Sequence, residues 1–159
     1  MSDPHAIAAV EPVAAPFVAL IPLLPLVGAI LLGLRGEQLQ RRMGKSVVGT
    51  IAVSTVAASF VLALVAFGRL VGMDEHARAG GLIANLLPWI HVGSLHVDLA
   101  FQIDPLSSAM ILVVTGIGAL IHLYATAYMA EDPAFWRFFA YLNLFIFAMM
   151  TLVLGDNLL

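Results

Sequence analysis

The chain has 159 residues, 62% of them hydrophobic and 11% charged, with a net charge of −3. Soluble domains average about 25% charged, so this composition points to an integral membrane protein, and the absence of a basic tract argues against nucleic acid. Cysteine is absent, which removes disulfides, thiolate metal sites and cysteine-held iron–sulfur clusters and leaves any electron transfer to another chain.

Residues 1–16 carry Ala, Pro and two acids without Lys or Arg, and so lack the basic start of a signal peptide. They read as a short retained tail. Phe17 to Leu34 is the first expected span. Pro22 and Pro25 fall in its first third, where a bundle tolerates a kink. Arg35 to Lys45 reads as a basic loop: Arg35, Arg41, Arg42 and Lys45 stand against Glu37. The positive-inside rule places this loop in the cytoplasm and the N-terminus outside. Ser46 to Val71 is the second span. Gly49, Ala52, Ser54, Ala57, Ala58, Ser59 and Ala63 give it a close-packing face, and Arg69 at its outer end is expected to snorkel.

Gly72 to Ile103 is expected outside. Ile90, Val92, Leu95, Val97, Leu99, Phe101 and Ile103 alternate with mostly polar residues, with the phase shift at Gly93-Ser94, a Gly-X turn. The predicted register opposes Val92 to Leu95, His91 to His96 and Ile90 to Val97. One face is then apolar and the other carries His91, His96 and Asp98. A lone hairpin is barely stable in water, so the apolar face should rest on protein.

Asp104 to Met129 organises the rest. Asp104 is placed to cap a helix with Pro105 at its first position. Nine Leu, Ile or Val residues follow, contributing roughly −3 to −5 kcal/mol to insertion. His122 is the one residue there that changes charge near neutral pH, and the helix can carry it and still insert. Glu131-Asp132-Pro133 is the next turn, on the cytoplasmic side. Asp132 is expected to cap a fourth span over 133–155, and Trp136 and Arg137 anchor the inner interface. Asp156-Asn157 reads as an outer turn. The apolar Leu158-Leu159 then ends the chain, which suggests a truncated, split or partial polypeptide. The predicted fold is an all-α membrane protein: a single domain over 1–159, four transmembrane helices (about 17–34, 46–71, 105–129 and 133–155), and one external β-hairpin (about 89–103) between helices two and three.

His122 lies about 27 Å along its helix from Asp104. Ser108, Thr115 and His122 recur every seven residues, with Gly118 and Thr126 near that line. They read either as one edge of a polar proton path or as hydrogen-bonded side chains on a packing seam. His91 and His96 could share a metal across the hairpin, but two ligands without a third make a poor site. Asn143, mid-span, is expected to bond to a neighbouring helix. No residue is assigned a catalytic, cofactor-binding or metal-binding role.

Three stretches carry a family resemblance: LIPLLPLVGAILLG (20–33), IDPLSSAMILVVTGIGALIHLYATAYM (103–129) and RFFAYLNLFIFAMMTLVLGDNLL (137–159). They resemble the N-terminal part of the antiporter-like subunit L, or chain 5, of respiratory complex I, the NADH-quinone oxidoreductase. The large subunit of multisubunit sodium/proton antiporters looks similar in this region, but the His122-Leu123-Tyr124 and RFFAYLNLF runs favour complex I. The resemblance implies a bacterial inner-membrane subunit that helps pump protons while NADH, FMN, iron–sulfur clusters and quinone act on other subunits. It implies other membrane subunits of the complex, the lipid bilayer and the later helices of the same subunit as partners. The family's Gly-Trp-Glu glutamate, its lysines and its further histidines fall beyond Leu159. This stretch is therefore expected to hold entry helices rather than the relay core. A non-catalytic scaffold that docks neighbours is the reading from another class.

Overall fold

In lipid, backbone N–H and C=O groups must bond within their own segment, so apolar runs of this length become helices. The computed structural model describes residues 12–92 and 95–155. The tail through residue 11, the Gly93-Ser94 turn and the Asp156-Asn157 turn lie outside the described residues, as do the side chains of residues 76 and 88–99. The elements run β1 (Val13–Ala14), a 3-10 turn (Pro16–Ala19), α1 (Leu20–Met43), α2 (Lys45–Val71), α3 (Glu75–Gly80), β2 (Leu82–Val92), β3 (Leu95–Ile103), α4 (Pro105–Tyr128) and α5 (Phe135–Leu154). The helices containing α1, α2, α4 and α5 are each long and apolar enough to cross a membrane.

Small residues set the packing. Gly28, Ala29 and Gly36 of α1 are buried, as are Gly49, Ala52, Ser59, Ala63 and Ala66 of α2. They let α1 lie against both α2 and α5, while α2 also packs on α4. Pro25 sits inside α1 and cannot donate to the Ile21 carbonyl four residues back. Ser59 of α2 supplies the missing donor, its hydroxyl reaching Ile21 O at 2.8 Å.

The basic segment is not a loop. Helix α1 continues through it to Met43 and breaks only at Gly44, where φ is +87°. Gly36 falls in this stretch but packs closely against Trp136 instead of ending the helix, and Arg41 pairs with Glu37 one turn back at 2.7 Å. Charge marks where a helix leaves lipid, not where it stops. The amide of Gln40 donates to Pro133 O, its oxygen accepts from Trp136 N, and Lys45 Nζ donates to Ala130 O at 2.7 Å. These bonds tie the α1–α2 turn to the α4–α5 turn, so both lie at one end of the bundle.

The sheet forms the other end. It has three strands in the order β1-β2-β3, with β1 parallel to β2 and β2 antiparallel to β3. The paired positions include His91 with His96 and Val92 with Leu95. The first strand of the hairpin starts at Leu82, not near residue 89, and takes register shifts at Asn85/Leu87 and Pro88/Ile90. Those irregularities hide its alternation in the sequence. The 72–81 connection holds α3, and Arg78 folds back to donate to the carbonyls of Leu70, Val71 and Met73. It thereby caps the C-terminus of α2.

Two cap expectations part company. Asp104 is the N-cap of α4: its carboxylate accepts from Ser107 N, while the Ser107 hydroxyl accepts from Asp104 N. Asp132 does not cap α5, which starts at Phe135 with Ala134 as N-cap. Pro133 belongs to the turn, and Asp132 Oδ1 accepts from Ala134 N at 2.7 Å, closing that turn rather than the helix.

Burial pushes the Asp104 carboxyl up, but hydrogen bonds from the Ser107 side chain and from the Ser107, Asp104 and Leu106 backbone outweigh it and hold the group below its ordinary 3.8. A depressed folded-state value means the stabilisation is complete above the unfolded value and is lost as pH falls through the folded one. Asp104→Ala should therefore cost about 1 kcal/mol at neutral pH. The deficit should shrink below about pH 4, as followed by unfolding of the purified chain in micelles at pH 7 and pH 3. An equal deficit at both pH values would count against the carboxylate as the cap.

Candidate functional site

The buried polar side chains of the described residues are Ser59, Ser108, Thr115, His122 and Asn143. Four of the five have all their buried side-chain N and O atoms paired; His122 does not. Three of them form the predicted stripe on α4, and the stripe does not connect. The Ser108 hydroxyl donates to Pro105 O, Thr115 to Ile111 O, and His122 Nδ1 bonds Gly118 O at 2.8 Å. Each side chain closes on its own helix, and seven residues separate neighbours by about 10 Å, too far for a direct relay.

His122 is fully buried. Because a carbonyl only accepts, the proton in the neutral ring sits on Nδ1 and Nε2 presents a lone pair. That atom is buried without a hydrogen-bond partner. The Phe139 ring lies 6.1 Å away, tilted by 51°, and Phe135 lies 4.7 Å beyond Phe139. A buried acceptor left dry costs about 1–3 kcal/mol, so among the described residues Nε2 is the buried side-chain atom where a donor is wanted.

A second polar knot joins three helices. Thr55 of α2 donates to Asn143 Oδ1 of α5 at 2.8 Å, and Asn143 Nδ2 donates to Phe139 O. Gly28 of α1 faces the pair: a Cβ there would stand 2.7 Å from Thr55 Oγ1 and 2.9 Å from Asn143 Oδ1. Sequence reading singles out Asn143 but misses Thr55 and Gly28, whose partnership depends on how the helices are rotated. The bond from Ser59 to Ile21 O had a readable signal, since Pro25 orphans that carbonyl by rule.

The outer residues sort simply. Arg69 Cζ lies 4.6 Å from the centre of the Phe17 ring, and Arg137 lies 5.5 Å from that of Trp136. Among the described residues no group of three or more His, Cys, Asp or Glu could hold a metal. His91 and His96, weighed above as a poor metal site, are opposed in register, but their side chains lie outside the described residues.

Comparison with known proteins bears on what this geometry serves. Residues 89–139, which hold β3, α4 and the start of α5, match the family model described as NADH-Ubiquinone oxidoreductase (complex I), chain 5 N-terminus. The NADH-quinone oxidoreductase subunit L of Escherichia coli (strain K12) is 37% identical over 143 residues, covering 89% of this chain and 22% of that protein. The chain belongs to the N-terminal region of the complex I chain 5 family. The NADH-ubiquinone oxidoreductase chain 5 of Dictyostelium discoideum is 38% identical over 136 residues, covering 85% of this chain and 19% of that one. Subunit L of Mycobacterium tuberculosis (strain CDC 1551 / Oshkosh) is 43% identical over 100 residues, covering 63% and 16%. The chain thus spans about a fifth of the length of these curated relatives. His122, Phe135 and Phe139 fall inside the stretch matched to the chain 5 family model.

Proposed function

We propose that this chain is the N-terminal region of a proton-translocating membrane subunit of an NADH-quinone oxidoreductase, set in a bacterial inner membrane. Identity of 37% to a subunit L over 143 residues, 89% of this chain, carries the reading. The quinone chemistry that drives pumping belongs to other subunits, with their NADH, FMN and iron–sulfur clusters. The end holding Arg35, Arg41, Arg42 and Lys45 faces the cytoplasm, which puts the N-terminus and the sheet on the periplasmic side.

Within this region His122 is the residue proposed to sit on a proton path. It is ionisable, it lies in a membrane span, and its Nε2 atom lacks a partner. Thr115 and Ser108 belong to the same stripe, but their hydroxyls are committed to their own helix. That favours a supporting part for them. The expected result is that His122→Ala in the full-length subunit lowers protons moved per NADH oxidised, while assembly and NADH–quinone reductase activity persist. Thr115→Val, which keeps the shape, should leave the ratio near the parent value. An unaltered ratio in the His122 variant would return that residue to a packing role.

A further inference from the structure

The first turn of α5 lacks a cap of its own. A helix start leaves backbone amides without carbonyl partners, and the N-cap side chain ordinarily accepts from the amide two or three residues on. Here the N-cap is Ala134, which makes no such bond, and the Asp132 carboxylate is spent on Ala134 N. Arg137 N and Phe138 N both turn back to Ala134 O. Trp136 N, at the second helical position, bonds instead to Gln40 Oε1 at 3.1 Å, a side chain of α1 that stands 96 residues away in sequence.

Three features fit Gln40 to that place. Its side chain uses both ends of the amide: Nε2 donates to Pro133 O at 2.9 Å while Oε1 takes the Trp136 hydrogen. With the two ends exchanged, oxygen would face oxygen at Pro133 and N–H would face N–H at Trp136, so the partners fix the orientation. Gly36 lies one turn earlier on α1, and a Cβ there would stand 2.9 Å from Trp136 Cβ. The close approach that brings Gln40 within reach of α5 therefore depends on a missing side chain.

Polarity is the third feature. Helix α4 ends and α5 begins at this turn, so the negative end of one dipole lies near the positive end of the other. The α1–α2 turn answers each with the right group. Lys45 donates to Ala130 O, just past the C-terminus of α4, and Gln40 offers its oxygen to the N-terminus of α5.

We propose that Gln40 is the N-cap of α5, supplied by α1, so that α5 holds its first turn only while α1 is seated against it. The start of this span is then set by a neighbouring helix as well as by its own sequence. The cap stands whether or not His122 carries protons.

Hydrogen exchange tests it, with the full-length subunit assembled in its membrane complex and exchange read by mass spectrometry to the Trp136 amide. Amides in a first turn exchange through local opening, so a lost cap speeds them. Gln40→Met keeps the length of the side chain and removes both polar ends; the Trp136 amide should then exchange about fivefold faster. Gln40→Glu keeps the acceptor and removes only the donor to Pro133 O. A carboxylate is favourable at a helix N-terminus, so this variant should stay within about twofold of the parent or exchange more slowly. Lys45→Met breaks the bond to Ala130 O without touching an amide of α5, and should also leave the Trp136 amide within about twofold.

Parent-rate exchange in Gln40→Met would overturn the cap. So would Gln40→Glu exchanging as fast as Gln40→Met, since the accepting oxygen would then not be what protects Trp136 N. Equal acceleration in Lys45→Met would mean a general loosening of the turn and would overturn it as well. Should Gln40→Met fail to assemble, Gly36→Ala presses on Trp136 and draws the same bond apart. It must speed the same amide, and parent-rate exchange there counts against the cap.

Discussion

Gly28→Ala should lower the stability of the bundle by about 2 kcal/mol, the middle of the range for overpacking a filled site. Ordinarily a glycine in a helix interior is the weaker choice, and alanine would gain about 0.5–1 kcal/mol. The sign reverses here because the added methyl meets Thr55 Oγ1 at 2.7 Å and Asn143 Oδ1 at 2.9 Å. Neither atom swings aside freely. Thr55 is β-branched and stiff at χ1, with its hydroxyl also 3.0 Å from Ala52 O. Asn143 is held through its amide nitrogen on Phe139 O at 3.0 Å. Relief comes either by pushing Thr55 and Asn143 aside, which breaks the bond between α2 and α5, or by moving α1 off both, which strains the Ser59 bond to Ile21 O. Gly33→Ala is the matched control. It sits one to two turns along the same helix, exposed, with nothing within 4 Å of its Cβ position, and should be neutral or slightly stabilising. Equilibrium unfolding of the purified variants in mixed micelles reads both. If the two alanines behave alike, the three-helix knot is not a tight contact.

The parts of this chain that could be read from sequence are those set by local composition. Four apolar runs announce four helices, and the Asp-Pro pair at 104–105 announces a start whose cap then forms with Ser107. Strand β3 keeps a clean alternation and could be read. Its partner β2 hid behind Pro88 and two register shifts. Strand β1 is two residues long and exists because the chain entering α1 passes the sheet edge. The end of α1 was misplaced because charge was taken for a boundary; the α4–α5 turn was clasped by Gln40 from 93 residues away, and no local pattern shows that.

The site divides in the same way. A lone histidine in a 24-residue apolar helix is conspicuous, and so is a seven-residue stripe of hydroxyls. What decides their chemistry is helix rotation and reach. Short hydroxyls in helices can turn back to carbonyls three or four residues earlier, which disconnects Ser108 and Thr115 from His122. Whether Nε2 finds a partner depends on which α5 side chains pack on the ring, and the one recorded there is Phe139.

Ser59→Ala should cost about 1–3 kcal/mol in the parent chain and much less when Pro25 is replaced by alanine. The helix rule makes the N–H of residue 25 the donor for the carbonyl of residue 21. Proline has no such hydrogen, so Ile21 O is orphaned inside the bundle, where an unmet acceptor costs about 1–3 kcal/mol. Ser59, fully buried, meets that acceptor from the neighbouring helix at 2.8 Å, while its oxygen also lies 3.1 Å from its own Thr55 carbonyl. In Pro25→Ala the restored N–H can bond Ile21 O within α1, and Ser59 can turn fully to Thr55 O. Removing the hydroxyl then strands nothing. The double-mutant cycle isolates the effect: a coupling of about 1 kcal/mol or more between positions on different helices, with Pro25→Ala restoring much of the stability lost in Ser59→Ala. Additive losses would mean that Ile21 O is met by something other than Ser59, and that the proline in α1 is accommodated by a local kink rather than by a bond from α2.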